Sequence, residues 1–430
     1  MNEAKQKTAL WPPPESFVPV PSLVEGIELY APAPEEKPDE TRTFKCRYCG
    51  GVISYSATQR QLTCPYCDRV QEIAAEEVGQ AAAEFEFTLS AMEQARYGWG
   101  EERRELVCES CGAVVTVAPD VLTSTCAFCG SNRVLARSAA GDVLRPTSLI
   151  PFVVDQTRCQ AQVTEWLGRG WMHPPELRHV RALREMTGVY LPFWTFDAHV
   201  RADWKAEVGT ARTKRYRSGG EWKTRTVIDW NWRSGRVRLP INDYLGPGTA
   251  QVSRVILRKV APFDLHGLVE YDPGYLAGWQ AKTYDVLLPQ AWEIAKEEMR
   301  ERAKRACYSD TGSSHVRNFR MTADFADERW RYVLLPVYLA SYHFDDRTFQ
   351  VMVNGQTGKV AGQKPVVWLR VWLAIAAMLT PGAFVGLLGL LTLVVGGIGV
   401  MGLVLGFILL VAGLVGAIFV FKKARESEEV

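Results

Sequence analysis

Eight of the ten cysteines in this 430-residue chain form four C-x2-C pairs, and they are the residues best suited to chemistry. The pairs make two sets with the same internal spacing, and the second set begins 62 positions after the first. Two such turns can place four thiolates around one ion, which is the sequence form of a zinc ribbon. The predicted ligands of two zinc ions are Cys46, Cys49, Cys64 and Cys67 in one set and Cys108, Cys111, Cys126 and Cys129 in the other.

An ion held by four sulfurs has no open position for water, so both predicted zinc ions are structural rather than catalytic. Glycines that follow the pairs, such as Gly50 and Gly112, supply the positive-φ positions that tight metal-binding turns need. The β-branched and alternating residues between the pairs of each set predict short strands. The remaining cysteines, Cys159 and Cys307, are interpreted as ordinary buried thiols.

A long apolar stretch near the end of the chain predicts a membrane anchor. Between Arg370 and Lys422 there is no charged residue, histidine, asparagine or glutamine. This length is more than twice the ~20 residues that cross a bilayer once, and Gly396-Gly397 divides it near its middle. We therefore expect a transmembrane helical hairpin within residues 366–421, with spans of residues 371–395 and 398–421. The alternative is a buried helix pair of a soluble protein, but core helices are amphipathic and this stretch is apolar all round.

Cations flank the predicted hairpin on both sides, as is typical of cytoplasmic flanks. They are Lys359, Lys364 and Arg370 before it and Lys422, Lys423 and Arg425 after it. No charged segment followed by an apolar core indicates a secretory signal. We therefore expect a multi-pass protein of the cell membrane whose bulk lies in the cytoplasm. In that reducing compartment the cysteines are metal ligands rather than disulfides.

The rest of the chain divides into segments of different composition, so the predicted fold class is multidomain. The formal net charge of +2 excludes a chain that is basic throughout, as many nucleic-acid-binding proteins are. The predicted segments are a proline-rich disordered arm (1–42), zinc ribbon 1 (43–70), a helical acidic spacer (71–104), zinc ribbon 2 (105–136), an α+β cytoplasmic domain with antiparallel sheets (137–365), the hairpin (366–421) and a cytoplasmic tail (422–430).

Within the α+β domain, hydrophobic periodicity predicts both helices and strands. The expected helices run from an Asp155 cap through Trp166, from Pro175 to Met186, and from Pro289 to Cys307. The expected strands cover residues 149–154 and a strand-rich region from 189 to about 239. Residues 189–196 and 333–340 share the pattern V-x-L-P followed by alternating large residues, which indicates an internal duplication, and Asn354-Gly355 predicts a hairpin turn.

One stretch, Arg201 to Arg238, is locally basic, with eleven Lys or Arg residues against four acids and five interleaved aromatic residues. Three interpretations remain open. The strands have an ordinary polar face in water, they lie on anionic lipid or an acidic partner, or they bind single-stranded nucleic acid.

Several stretches, together with the order of the segments, carry a resemblance to a family. They are residues 188–197 (GVYLPFWTFD), 260–265, 271–279, 335–338 (LPVY) and 353–360 (VNGQTGKV). The chain resembles bacterial membrane-anchored tandem zinc-ribbon proteins of the envelope-stress type, whose relatives are encoded with phage-shock-protein-A-like and SPFH-domain proteins. The cysteine ribbons also resemble those of primosomal helicase-like proteins, but no GxxxxGK[ST] element is present to support helicase activity. The resemblance implies a scaffold at the bilayer and supplies no catalytic residues.

The expected function is therefore non-enzymatic: a membrane-anchored zinc-ribbon adaptor that recruits cytoplasmic partners to the inner membrane. Phage-shock-protein-A-like or SPFH-domain proteins are the implied partners, besides the lipid bilayer itself. The alternative is a membrane-tethered nucleic-acid-binding protein. A transporter is disfavoured, because Thr380 and Thr392 are almost the only polar side chains inside the hairpin. Glycines spaced four apart, Gly382/Gly386 and Gly402/Gly406, permit close contact either between the two spans or between copies.

Overall fold

The computed structural model describes residues 17–20, 29–32, 44–73, 76–79, 84–86, 98–100, 102–119, 121, 124–139, 143–179, 186–219, 221–345, 347–393 and 397–428. The chain divides into residues Met1–Arg42 and a compact unit, Thr43–Val430. In the first part, β1 (Phe17–Val20) and β2 (Leu29–Pro32) pair antiparallel. These eight residues of the arm, which was predicted to be disordered, therefore lie in paired strands.

In the compact unit, α-helices lie between the strands and at the carboxyl end. The strands are β3 (Ser54–Ser56), β4 (Gln61–Thr63), β5 (Val70–Gln71), β6 (Phe85–Glu86), β7 (Arg104–Cys108), β8 (Val114–Val117), β9 (Val134–Ser138), β10 (Ser148–Leu149), β11 (Thr187–Ser218), β12 (Glu221–Pro247), β13 (Val269–Glu270), β14 (Gln280–Ala281), β15 (Val316–Phe344), β16 (Arg347–Asn354) and β17 (Val360–Gly362). The α-helices are α1 (Gln156–Leu167), α2 (Arg254–Val260), α3 (Leu288–Asp310), α4 (Trp368–Leu391) and α5 (Gly397–Glu428).

The central sheet is built on the antiparallel pair β11 and β15, which runs from Thr187↔Leu339 to Val208↔Val316. Strand β12 continues the sheet beyond β11, and β16 and β17 continue it beyond β15. The short strands β10 and β14 pair parallel with β15 and β11 respectively, so the expected antiparallel sheet is in fact mixed. From β14 the sheet extends through β8 and β7 to β9.

Both faces of the central sheet carry buried side chains. On one face, Tyr190, Trp194 and Phe196 pack with residues of α1, α3 and the first cysteine set. On the opposite face, Leu191 and Phe193 pack with residues of α2 and the second cysteine set. The alternation follows from the two-residue period of a strand, which sends successive side chains to opposite faces.

Two predicted helices are present close to their expected bounds. The Asp155 carboxylate caps α1 by accepting a hydrogen bond from the Arg158 N–H at 2.8 Å. Helix α3 buries one face at helical spacing, as its sequence predicted. The buried residues of that face are Leu288, Ala291, Trp292, Ala295, Met299, Ala303 and Cys307.

Three local predictions differ from the structure. Of the predicted strand 149–154 only Leu149 lies in a strand, β10, because the chain turns there to enter α1. Pro175–His179 forms a 3-10 turn, and the rest of the helix predicted to Met186 falls largely on residues 180–185, outside the described residues. The helix predicted for the acidic spacer is wrong where the spacer is described, since β6 pairs with β15 across Phe85↔Trp330.

The predicted internal duplication is visible in the order and pairing of the elements. One copy comprises β10, α1, β11 and β12, and the other comprises β14, α3, β15 and β16. Each short strand pairs with the long strand of the other copy. The Gly355 carbonyl accepts the N–H groups of Val153 and Val154 at 3.0 and 2.9 Å, and the Gly248 carbonyl accepts those of Asp285 and Val286 at 3.0 and 3.1 Å.

Helices α4 and α5 are long and apolar enough to cross a membrane. Many of their large side chains are exposed, among them Leu373, Phe384, Phe407, Ile418 and Phe419. A soluble core would bury these side chains, so the alternative of a buried helix pair does not fit the structure. The first helix ends before the predicted 395, and the second continues beyond the predicted 421 to Glu428.

Glycines bring α4 and α5 into close contact with each other. A Cβ atom on Gly406 would lie 2.5 Å from the Gly386 Cα, and one on Gly402 would lie 2.8 Å from the Gly389 Cα. The small residues singled out in the sequence therefore pack the two helices against each other within one chain.

The apolar helices are joined to the α+β domain by a neck, which we define as residues 171–173, 364–370 and 424–428. The Lys364 ammonium donates to the Trp166 and Arg169 carbonyls at 2.5 and 3.1 Å, at the end of α1. The Lys364 N–H donates to the Ser427 carbonyl at 2.8 Å, and Trp368 donates from Nε1 to the Glu428 carboxylate at 2.9 Å. These hydrogen bonds fix where the helix pair leaves the domain.

Candidate metal centres

The structure brings all eight predicted cysteine ligands together as two groups of four. In each group the four Sγ atoms lie within 4.8 Å of one another. The first cysteine module, residues 44–73, holds one group on the sheet β3–β4–β5. The second cysteine module, residues 104–138, holds the other group on β7, β8 and β9.

The sulfur geometry is the same in both modules. In the first, Sγ distances are 3.6 Å between Cys46 and Cys67 and 3.4 Å between Cys49 and Cys64. In the second, the equivalent Cys108–Cys129 and Cys111–Cys126 distances are both 3.7 Å. A tetrahedral ion with metal–sulfur bonds of about 2.3 Å separates its sulfurs by roughly 3.8 Å. Both groups therefore fit a tetrahedral ion of this size.

Each C-x2-C pair lies on a tight turn that is closed by a hydrogen bond from a later backbone N–H to the carbonyl of the first cysteine. The Gly50 N–H donates to the Cys46 carbonyl, and the Gly112 and Gly130 N–H groups donate to the carbonyls of Cys108 and Cys126, all at 2.9 Å. These glycines have φ of 75°, 71° and 73°, which explains their position in the sequence. In the fourth turn a non-glycine residue, Asp68, takes this place with φ 54°.

One thiol in each module is held with a lowered pKa. Hydrogen bonds from the backbone N–H groups of Cys49 and Tyr48 lower the pKa of Cys46 to about 6. Burial acts to raise the pKa of Cys108, but backbone and thiol hydrogen bonds outweigh it and lower the pKa to about 7. The thiolate is the form that binds metal, so the lowered pKa of this cysteine favours metal binding in each module.

Both modules contact one short segment of the α+β domain, residues 277–281. The Tyr55 N–H donates to the Ala277 carbonyl at 2.9 Å, and Trp279 Nε1 donates to the Tyr55 carbonyl at 3.0 Å. In the second module, Thr116 pairs with Ala281, and its hydroxyl donates to the Ala281 carbonyl at 2.8 Å. Both modules therefore pack on the α+β domain. In the sequence, Trp279 is one residue of the stretch 271–279 that carries the family resemblance, and no local pattern there indicates this role.

The modules differ in what they present at equivalent positions. Tyr48 and Tyr66, between the thiols of the first module, are 64% and 75% exposed. Their equivalents are Ser110 and Phe128, and Phe128 is buried, with its carbonyl accepting Gln350 Nε2 at 2.9 Å. The second module thus buries the aromatic side chain at this position, whereas the first presents Tyr48 and Tyr66 to solvent.

The chain is similar to a Bacillus subtilis (strain 168) protein named "Uncharacterized protein YdjG". The two are 26% identical over 330 residues, which cover 75% of this chain and 90% of the relative. No protein-family model matches the chain. No solved structure shows significant similarity to it.

Proposed function

We propose that this protein is a non-catalytic, membrane-anchored zinc adaptor that brings cytoplasmic protein partners to the inner membrane of a bacterium. In this proposal zinc fills both four-cysteine groups, α4 and α5 cross the bilayer, and the first cysteine module recognises the partner. The observation that carries it is the exposure of Tyr48 and Tyr66 beside a group of four cysteines, in a chain that also has an apolar helix pair.

Zinc is the proposed ion because four thiolates in a closed tetrahedron suit it, and because a cytoplasmic compartment keeps cysteines reduced. The ion would hold the turns of each module in place, since a sheet of three strands as short as β3, β4 and β5 is only marginally stable alone. Such a site supports a surface and performs no reaction.

The partner surface is proposed on the first module because apolar side chains are exposed there together. Besides Tyr48 and Tyr66, Val52 and Val70 are 47% and 41% exposed. The Arg69 guanidinium lies 4.1 Å from the centre of the Tyr48 ring. Tyrosine and arginine are enriched among the residues that dominate protein–protein binding energy, and grouped apolar exposure is typical of such surfaces.

Phage-shock-protein-A-like and SPFH-domain proteins are the partners we propose to test first, because the family that the sequence resembles implies them. The experiment is affinity purification of the full chain from detergent-solubilised membranes, comparing wild type with Cys46→Ser and Tyr48→Ala/Tyr66→Ala. We expect both variants to lose the partner. The control is Tyr216→Ala, a tyrosine 46% exposed on β11, which should keep it. Retention of the partner by all variants would place recognition elsewhere, and recovery of the wild type in the soluble fraction would refute the anchor.

A further inference from the structure

The outer half of the central sheet has one face that no described element covers. Between residues 201 and 208 of β11, alternate side chains such as Trp204 pack towards α3, where Trp204 Nε1 donates to Asp310 at 2.8 Å. The intervening side chains point to the other side, where Arg201 and Lys205 are exposed and Asp203 and Glu207 are half-buried. The residues of β12 and β15 that pair directly with these β11 positions lie on the same side of the sheet as Lys205. We call this side the open sheet face.

The open sheet face is strongly basic. Along residues 201–217 of β11, 222–238 of β12 and 317–324 of β15 it carries eight Lys or Arg residues and three acids, a net charge of +5 (8 − 3). Some of these cations lie directly opposite one another: Arg201 pairs with Arg238, and Lys205 pairs with Arg320. Like charges in register destabilise a sheet, so this arrangement favours an anionic ligand that bridges them.

A shallow groove of about 500 Å³ runs across this face. Three cations, Lys205, Arg236 and Arg320, line it together with one carboxylate, that of Asp203. The small side chains of Ser234 and Thr322 leave it open. Arg236 is held by Asp203 at 2.5 Å, with half of its side chain still exposed. The groove therefore presents cations from three adjacent strands at one place, which suits a ligand with repeated negative charges.

Tryptophans continue the groove along β12. Trp232 is 54% exposed and has the Lys205 ammonium 5.3 Å from its ring centre, and Trp222 is 71% exposed. Between them lies Trp230, whose ring is 4.2 Å from the Arg317 guanidinium. Its cross-strand neighbour is Gly209, where a Cβ atom would lie 3.2 Å from the Trp230 ring, so the ring packs closely over the β11 backbone. Flat aromatic surfaces beside cations match the alternation of bases and phosphates in a single strand of nucleic acid.

The position of the open sheet face argues against lipid as its ligand. The end of α5 contacts the turn between β15 and β16, where Arg347 pairs with Glu428. Arg320 lies 24 residues before the end of β15 at Phe344, which is roughly 80 Å of strand. At physiological ionic strength charges are screened beyond about 8 Å. The groove and the anchor thus lie at opposite ends of the same strands.

We propose that the open sheet face binds single-stranded nucleic acid, with phosphates at Lys205, Arg236 and Arg320 and bases stacked on Trp222 and Trp232. Duplexes fit less well, since their bases are already stacked on one another. Binding at this face is independent of the first cysteine module, so the proposed adaptor role can fail while this site stands.

The test measures fluorescence anisotropy of labelled dT20 and rU20 with the full chain in nanodiscs of phosphatidylcholine, over a series of KCl concentrations. Trp222→Ala/Trp232→Ala should weaken binding about tenfold or more. Lys205→Glu/Arg320→Glu should lower the slope of log affinity against log salt by about 1.4, for two phosphate contacts. The matched control is Lys214→Glu/Lys223→Glu, which makes the same charge change on the opposite face of the β11–β12 hairpin and should leave both quantities near wild type.

The far-UV circular dichroism and metal content of each variant establish that it is folded. Equal loss of binding in the control and in Lys205→Glu/Arg320→Glu would overturn the proposal, because binding would then follow total charge. It would also be overturned if wild type bound neither oligonucleotide at 50 mM KCl. The same holds if the variants of the open sheet face kept oligonucleotide binding and lost binding to phosphatidylglycerol vesicles.

Discussion

Leu191 of β11 pairs with Leu335 of β15, and each of these leucines directly precedes a proline, Pro192 or Pro336. In the same register Tyr190 lies opposite Pro336, and Pro192 lies opposite Leu334, so the two V-x-L-P segments meet as an antiparallel pair about a local two-fold axis. Each proline lies just before the next strand begins to pair, and its carbonyl accepts an N–H from Gly248 or Gly355. The prolines therefore lie inside the long strands, at the point where pairing passes to the next strand.

Gly248 and Gly355 occupy equivalent positions in the two copies of the duplication. We therefore expect substitution of either glycine to lower the free energy of unfolding by a similar amount. A Cβ atom would lie 2.7 Å from the Pro192 carbonyl oxygen at Gly248 and 2.9 Å from the Pro336 Cβ at Gly355. We expect each alanine variant to lose about 1–3 kcal/mol of unfolding free energy. Gly267→Ala is the control, because its Cβ would meet only the end of the Gln356 side chain. Denaturant unfolding measures all three. A loss of stability in only one of Gly248→Ala and Gly355→Ala would contradict the equivalence, and no loss in either would contradict the close contacts.

Metal content should fall from two ions per chain in wild type to one in either Cys46→Ser or Cys108→Ser. The thermal stabilities should nevertheless differ. The strands of the second module belong to the central sheet, whereas those of the first form a separate three-stranded sheet, so loss of Cys108 should lower Tm more than loss of Cys46. Plasma mass spectrometry and thermal scans provide both numbers. Equal loss of stability in the two variants would show that the second module is no more integrated than the first.

The close contact between α4 and α5 predicts that a larger side chain at a contact glycine destabilises the protein. Gly406→Leu should separate α4 from α5, since even a Cβ atom there would lie 2.5 Å from the Gly386 Cα. Its Tm in detergent should fall by several degrees. Val404→Leu adds volume at a side chain that is 56% exposed and should leave Tm unchanged. Similar values for the two variants would mean that the helices do not pack through their glycines.

Lys364 in the neck predicts a rise in stability at alkaline pH. Burial, with a smaller effect of Arg169, lowers its pKa from 10.5 to about 8. Between these values the unfolded chain binds more protons at this residue than the folded chain, so its contribution to stability increases with pH. From pH 8 to 10.5 wild type should therefore gain stability relative to Lys364→Met. Parallel pH profiles of the two proteins would contradict the assignment.

Sequence periodicity and spacing located the local features of this protein. The C-x2-C spacing identified all eight grouped cysteines, and the Asp155 cap and the apolar face of α3 set those two helices. These signals succeed because each depends on residues close together in the chain. The bounds of α4 and α5 were less accurate, since apolar composition alone does not say where a helix ends.

Long-range pairing was not predictable in the same way. The spacer residue Glu84 lies 3.2 Å from Arg331, which is 1% exposed, so the acidic segment joins the core through a charge pair. No local pattern marks Arg331 as buried. Trp279 likewise supports the first cysteine module from 224 residues away. The composition of a basic stretch also does not show which of its side chains are buried. Only the strand register separates the open sheet face from the side that packs on α3.

Photocrosslinking from residue 66 tests the adaptor role most directly. The photoreactive residue p-benzoylphenylalanine replaces Tyr66, or Tyr216 as the matched exposed control, and cells are irradiated before their membranes are isolated. We predict that position 66 captures a single cytoplasmic protein in the membrane fraction, that position 216 does not, and that Cys46→Ser abolishes the product. No product from position 66, or the same product from both positions, would contradict recognition by the first cysteine module.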